Sequence, residues 1–198
     1  MNFRPTIFVR DEFLPDPDHT RQHALSHPFN TVEFDGHKYA GIGQEVDATP
    51  ELYLRILMGE IKIRMSFYRL SPGDDIPTAW IHCDPSCGEY AGVLYLSEPP
   101  TDLQTGTAFW RHRSTDLERI PYGSDLERLN LEPEDFEALM MRDANNEKRW
   151  KLNTLIAHKF NRLVIYRAEL FHSRFPYRSF GENKQQSRLI WVCFFDPE

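Results

Sequence analysis

Cysteine is scarce in this chain, and no stretch of it is long and apolar. Three cysteines stand among 198 residues, an odd count that suits reduced thiols in a cytoplasm better than a disulfide framework. Cys83 and Cys87 are four apart, but with only Cys193 remaining they form no recognisable zinc signature. No apolar run approaches the roughly 18 residues of a membrane-spanning helix. The opening ten residues, Met1 to Arg10, have neither the apolar core nor the cleavage site of a signal peptide. Positive charge is also in deficit, with 23 Lys and Arg against 30 Asp and Glu and a net charge of −7. That balance favours solubility and argues against a nucleic-acid partner, whose phosphates it would repel. Internal repeats and low-complexity tracts are missing.

Aromatic residues are plentiful: 14 Phe, 8 Tyr and 4 Trp make up 13% of the chain, which favours a strand-rich packed interior. The length is that of one domain with a real core. Thr6 to Val9 is a short β-prone run. Asp16-Pro17-Asp18 opens a helix through Ser26, with acids in its first turn, and His19, His23 and His27 form a polar face on it. Gly36, Gly41 and Gly43 mark a loop region. Thr49-Pro50-Glu51 starts a second helix with a capping hydroxyl and an early proline, and Gly59 stops it. Strands are expected at 61–70, 79–84, 91–96, from Gly106, at 150–156, at 162–166 and at 189–195. Between 115 and 149 the chain turns charged, and Pro133-Glu134-Asp135 opens a helix with Phe136, Leu139 and Met140 on one face. The expectation is one domain over 1–198, mainly β with flanking α-helices. Residues 1–60 pack a strand and helices on a β core formed by 61–198, which carries a helical insertion at about 115–149.

Trp80-Ile81-His82-Cys83-Asp84 is where chemistry concentrates. On an extended strand, residues two apart share a face, so His82 and Asp84 reach one point while Cys83 turns away. A third ligand from a distant strand completes a face of two histidines and one carboxylate, and His172 is the candidate. Such a face leaves three adjacent positions open on Fe(II) for a cosubstrate and dioxygen.

Several stretches then line up in order: His82-Cys83-Asp84; Val93-Leu94-Tyr95-Leu96-Ser97; Gly106-Thr107; Lys159 to Tyr166; His172; and Arg188-Leu189-Ile190-Trp191-Val192. Together they resemble the Fe(II)/2-oxoglutarate-dependent dioxygenases, in the prolyl-4-hydroxylase-like branch, from about Ile61 to Phe195. The resemblance implies a double-stranded β-helix (jelly-roll, cupin-like) core, with Fe(II) held by His82, Asp84 and His172. It implies Arg188 as the partner of the distal carboxylate of 2-oxoglutarate, for which a planar guanidinium is suited, with Arg167, Arg174 and Arg178 as competitors for that role. Tyr95 is a candidate hydrogen-bond donor to the same carboxylate. The family places a tyrosine just before a Pro-Gly turn; here that position is Leu70, and Tyr68, on the same face, is the candidate substitute. His112, Arg111 and Arg113 are either substrate contacts or surface groups paired with Asp116 and Glu118, and Trp80 and Trp110 are pocket walls or core. His158 becomes a ligand candidate only under a different register. The implied activity is hydroxylation of an unactivated C–H of an amino-acid side chain, peptide or small metabolite, with 2-oxoglutarate decarboxylated to succinate. A cupin-like metal- or ligand-binding protein without turnover is the alternative, and a partner module built on the insertion is a third. The substrate and oligomeric state are not legible.

Overall fold

The computed structural model describes residues 6–34 and 36–198. In chain order the elements are β1 (Ile7–Arg10), α1 (Pro17–Ser26), β2 (Asn30–Phe34), β3 (His37–Gly43), α2 (Thr49–Met58), β4 (Ile61–Ser71), β5 (Tyr90–Tyr95) and β6 (Gly106–His112). There follow α3 (Gly123–Leu129), α4 (Pro133–Asp143), β7 (Trp150–Ala157), β8 (Leu163–Arg167), β9 (His172–Phe175) and β10 (Arg188–Pro197).

Successive side chains of a strand face opposite ways, and β10 buries both faces. Leu189, Trp191, Cys193 and Phe195 join one apolar cluster, while Ile190, Val192 and Phe194 join another. β5 and β8 divide the same way, Leu94, Leu163 and Ile165 against Val93, Tyr95, Val164 and Tyr166. A sheet apolar on both sides must be covered on both. The larger sheet, in the order β1-β8-β5-β10-β4-β3-β2, is covered outside by α1 and α2 through Ala24 and Leu54. Its inner face meets the smaller sheet, β7-β6-β9, through Phe109 and Ile156.

From β4 onward the chain passes back and forth between the sheets: β4, β5, β8 and β10 lie in the larger, the consecutive β6 and β7 and then β9 in the smaller, and these strand pairs are all antiparallel. The fourth position of the smaller sheet, beside β9, is filled by a single bridge between His82 and His172. This is the double-stranded β-helix, with its second strand cut down to one residue.

That reduction corrects the expected strand at 79–84. The backbone donors that a strand would offer go elsewhere: Trp80 N–H to the Asn145 side chain, Ile81 N–H to Ala144 O and Asp84 N–H to Ala168 O. A second correction concerns Gly36 to Gly43, which form the β2–β3 hairpin on the edge at β4 rather than a loop. Gly41 sits there at φ +72°, where a Cβ would stand 2.0 Å from the Leu70 carbonyl oxygen, a place open only to glycine. A third concerns α2: the Thr49 hydroxyl donates to Asp47 Oδ1 instead of capping, and Ala48 is the N-cap. Strand β9 is the distant strand expected to carry His172, although His-Ser-Arg-Phe has no apolar alternation to mark its bounds.

The 115–149 segment covers the outside of the smaller sheet. Phe136 and Leu117 pack with Trp110, Trp150 and Phe171. His112 is fully buried here rather than on a surface loop, its Nε2 3.0 Å from Asp143 Oδ2 and its Nδ1 3.1 Å from Thr115 Oγ1.

Candidate active site

His82 and His172 face each other across the bridge, and each ring is oriented by its own chain. The Nδ1 of His82 lies 2.9 Å from Trp80 O and that of His172 2.9 Å from Leu170 O. A carbonyl only accepts, so each Nδ1 carries the proton and each Nε2 presents its lone pair, the tautomer that binds metal. Asp84 Oδ2 is 3.7 Å from Nε2 of His82 and 3.3 Å from Nε2 of His172, and the three ligand atoms lie within 4.8 Å of one another. Ligands about 2.1 Å from an ion on one octahedral face stand about 3 Å apart, so two neutral imidazoles and one carboxylate fit a ferrous ion after a small contraction. Enclosure alone would raise the Asp84 carboxyl, but the two imidazoles beside it outweigh that and hold the group below the ordinary carboxylate range. Cys83 turns to the outer cluster, and burial, then Asp84, pushes its thiol up to about 12, which keeps it protonated.

Arg188 enters the space between the sheets with 5% of its surface exposed. Among the described residues no carboxylate pairs with it, and its buried Nε has no hydrogen-bond partner. Burial lowers its pKa, with Arg174 and Arg69 adding repulsion. An unpaired buried cation costs several kcal/mol, so this geometry fits a dicarboxylate such as 2-oxoglutarate. Beside it, the guanidinium carbon of Arg188 lies 5.6 Å from the Tyr95 ring, and the Tyr95 hydroxyl is 2.6 Å from Thr107 Oγ1. The His158 imidazole stacks on Tyr95 at 4.2 Å and donates through Nε2 to Ser97 O, which excludes it from the histidine pair.

Tyr68 lies elsewhere. It belongs to the outer cluster under α1 and α2, and its hydroxyl accepts from Asp47 N–H at 3.3 Å. It does share a face with Leu70, but that face looks at the helices. The inward residue on this part of β4 is Arg69, opposite Ile190, which sequence reasoning passed over. Arg69 falls in phase with Met65 and Phe67, which join the inner cluster, while Tyr68 and Leu70 join the outer one. Arg174, on inward-facing β9, gives both terminal nitrogens to Asp75 and its Nε to Tyr177 O. Arg111 pairs with Asp116 and Glu118 at the surface, as the plainer reading had it.

The insertion braces the metal-ligand segment. Asn145, just past α4, accepts from Trp80 N–H at 2.8 Å and donates to Thr78 O at 2.8 Å. The Trp80 indole donates to Arg174 O and lies edge-on to both Trp110 and Tyr177. Thr107 and Asn145 were likewise missed, since neither residue type nor spacing sets them apart.

Solved structures share this fold at low identity. EctD from S. alaskensis, crystallised with 2-oxoglutarate and 5-hydroxyectoine, is 13% identical with a TM-score of 0.54, the match covering 98% of this chain and 73% of EctD. HygX from Streptomyces hygroscopicus, with nickel and 2-oxoglutarate bound, is 10% identical with a TM-score of 0.55, over 97% of this chain and 82% of HygX. SnoN, a non-heme α-ketoglutarate-dependent epimerase from nogalamycin biosynthesis, is 11% identical with a TM-score of 0.56, over 98% and 79%. No curated protein sequence matches. Residues 62–195, two thirds of the chain, match the sequence profile of a family of unknown function, DUF6445, and the chain belongs to that family.

Proposed function

We propose that this protein is a single-domain Fe(II)/2-oxoglutarate-dependent oxygenase that hydroxylates an unactivated C–H of an amino-acid side chain, peptide or small metabolite. The observation that carries the reading is the convergence of His82, Asp84 and His172 with both Nε2 lone pairs free, next to a buried arginine without a counter-charge. Bound Fe(II) would couple dioxygen activation to decarboxylation of 2-oxoglutarate to succinate, the chemistry that an inert C–H demands. His82, Asp84 and His172 would hold the metal. Arg188 would take the distal carboxylate of 2-oxoglutarate, with Tyr95 and Thr107 beside it fixing the orientation. The aromatic lining of Tyr166 and Phe109, stacked edge to face at 5.2 Å, keeps water from the inner end.

Membership of the prolyl-4-hydroxylase-like branch rests on motif order alone, and the placement of Tyr68 removes one of its supports. Three free thiols fit a cytoplasmic setting. An acidic chain fits a small-molecule or peptide substrate rather than a nucleic acid. The test is direct. With Fe(II), ascorbate and 2-oxoglutarate the purified protein should release succinate slowly without substrate, and His82→Ala and Asp84→Ala should stop it. Under nitrogen, Fe(II) and 2-oxoglutarate should give a visible charge-transfer band. Turnover unchanged in both variants would end the reading, and metal binding without a band or turnover would favour the cupin-like binding protein.

A further inference from the structure

The interior holds more positive charge than metal and cosubstrate together would use. Residues opposite one another on paired strands share a face. Arg69 on β4 is opposite Ile190 on β10, which is opposite Tyr95 on β5, so Arg69 projects into the same space as Arg188. Arg174 enters from β9, opposite Thr107. Among the described residues, Asp75 pairs with two of these three guanidinium groups, Arg69 and Arg174, and no carboxylate pairs with Arg188. Arg174 takes the Asp75 carboxylate, and each of its three nitrogens has a hydrogen-bond acceptor. Arg69 reaches Asp75 only at 3.5 Å, and its buried Nε bonds to nothing. The arginines and Asp75 leave two positive charges, and a ferrous ion with Asp84 adds one. Dianionic 2-oxoglutarate cancels two of the three. One positive charge is left over.

Position says which arginine carries it. Arg188 is 5% exposed, whereas the Arg69 side chain is 20% exposed and that of His82, at the open side of the metal centre, 40%. Through Asp75, Arg69 meets Arg174, which stands two residues from His172 on β9 and so on the same face. Arg69 therefore lies on the metal-centre side of the pocket and nearer solvent than Arg188, where a primary substrate would enter.

Building on the oxygenase reading, we propose that Arg69 recognises a carboxylate on the primary substrate, so that the enzyme takes a carboxylate-bearing small molecule rather than a neutral or cationic one. A single surplus charge suits a monoanion, and the planar guanidinium suits a carboxylate.

The probe is acetate, with acetamide, methyl phosphate and sodium chloride at matched ionic strength as the other arms. Each is added to the full-length protein under nitrogen with Fe(II) and saturating 2-oxoglutarate. The charge-transfer band reports metal and cosubstrate, and the melting temperature reports the added ligand. Acetate at tens of millimolar should raise the melting temperature by about 2 °C or more, with the band intact, while acetamide and chloride should not. Arg69→Gln should keep the band and lose the acetate response, and Arg69→Lys should keep part of it. Acetate no better than chloride, or an undiminished response in Arg69→Gln, overturns the proposal. Loss of the band in Arg69→Gln overturns it too, by assigning Arg69 to the cosubstrate, and a preference for methyl phosphate overturns the carboxylate class. A missing band in the unaltered protein defeats the oxygenase reading first and this inference with it.

Discussion

His82 and His172 exchange both of their backbone hydrogen bonds, His82 N–H to His172 O at 3.0 Å and His172 N–H to His82 O at 2.8 Å, with ring centroids 4.5 Å apart. Two residues paired in this way must send their side chains to one side of the sheet. Carbonyls two positions earlier then fix each ring, so the ligand spacing is set by main chain rather than by an ion. Such preorganisation lowers the cost of binding.

Arg188 should be worth more to the ligand than to the fold. Arg188→Met removes a buried charge that has no carboxylate partner, and stability without cosubstrate should rise by about 1–3 kcal/mol, or several degrees of melting temperature. Stabilisation by 2-oxoglutarate, expected of the unaltered protein on the proposed function, should vanish. Differential scanning calorimetry with and without 2-oxoglutarate measures both effects.

Tyr95→Phe tests the neighbouring hydroxyl alone. The ring keeps its stack on His158, but Thr107 loses its partner, at a cost of about 1–3 kcal/mol. Affinity for 2-oxoglutarate should fall roughly tenfold with Fe(II) affinity unchanged, as read by titrating the charge-transfer band.

Asn145→Ala removes both hydrogen bonds that tie the insertion to residues 78–80. The side chain is exposed, so stability should drop only about 1–2 kcal/mol. Metal affinity should drop by roughly 10–100-fold, the usual consequence of loosening the support behind a ligand. Competition against a chelator of known affinity gives the number, and an unchanged affinity would show that the brace does not set the ligand geometry.

His158 should make the protein acid-sensitive. Burial, with the charge of Arg188, takes its pKa from 6.5 to about 3, so the folded state keeps the ring neutral. Above about pH 6.5 neither state binds a proton and the full stability is present. Below that the unfolded chain takes up a proton that the folded protein refuses, down to about pH 3, which amounts to about 2 kcal/mol lost by pH 5. His158→Gln, whose amide still donates to Ser97 O, should lose correspondingly less between pH 7 and pH 5 in urea titrations.

Much of this was written in the chain. The apolar runs through Leu189 to Phe195 and at 91–96 mark strands without help from tertiary contacts, and the two-residue spacing of His82 and Asp84 announces a shared ligand point. The face of β4 that looks inward was not legible, because both sides of that strand are covered and Tyr68 and Arg69 are each plausible inside. Nor was the reduction of the expected strand at 79–84 to a single bridge, because its backbone donors are captured by residues more than sixty positions away. His112 reads as exposed between Arg111 and Arg113, and only Asp143, thirty-one residues on, explains its burial.

The Trp80 indole carries a practical consequence. It lies two residues ahead of His82 and 5.3 Å from the centroids of both Trp110 and Tyr177. Coupled chromophores in a fixed asymmetric setting give a near-ultraviolet dichroic signature, and a paramagnetic ion held by the proposed ligands would quench nearby emission. Occupancy of such a centre could therefore be followed optically in the unlabelled protein, with no dye to perturb it.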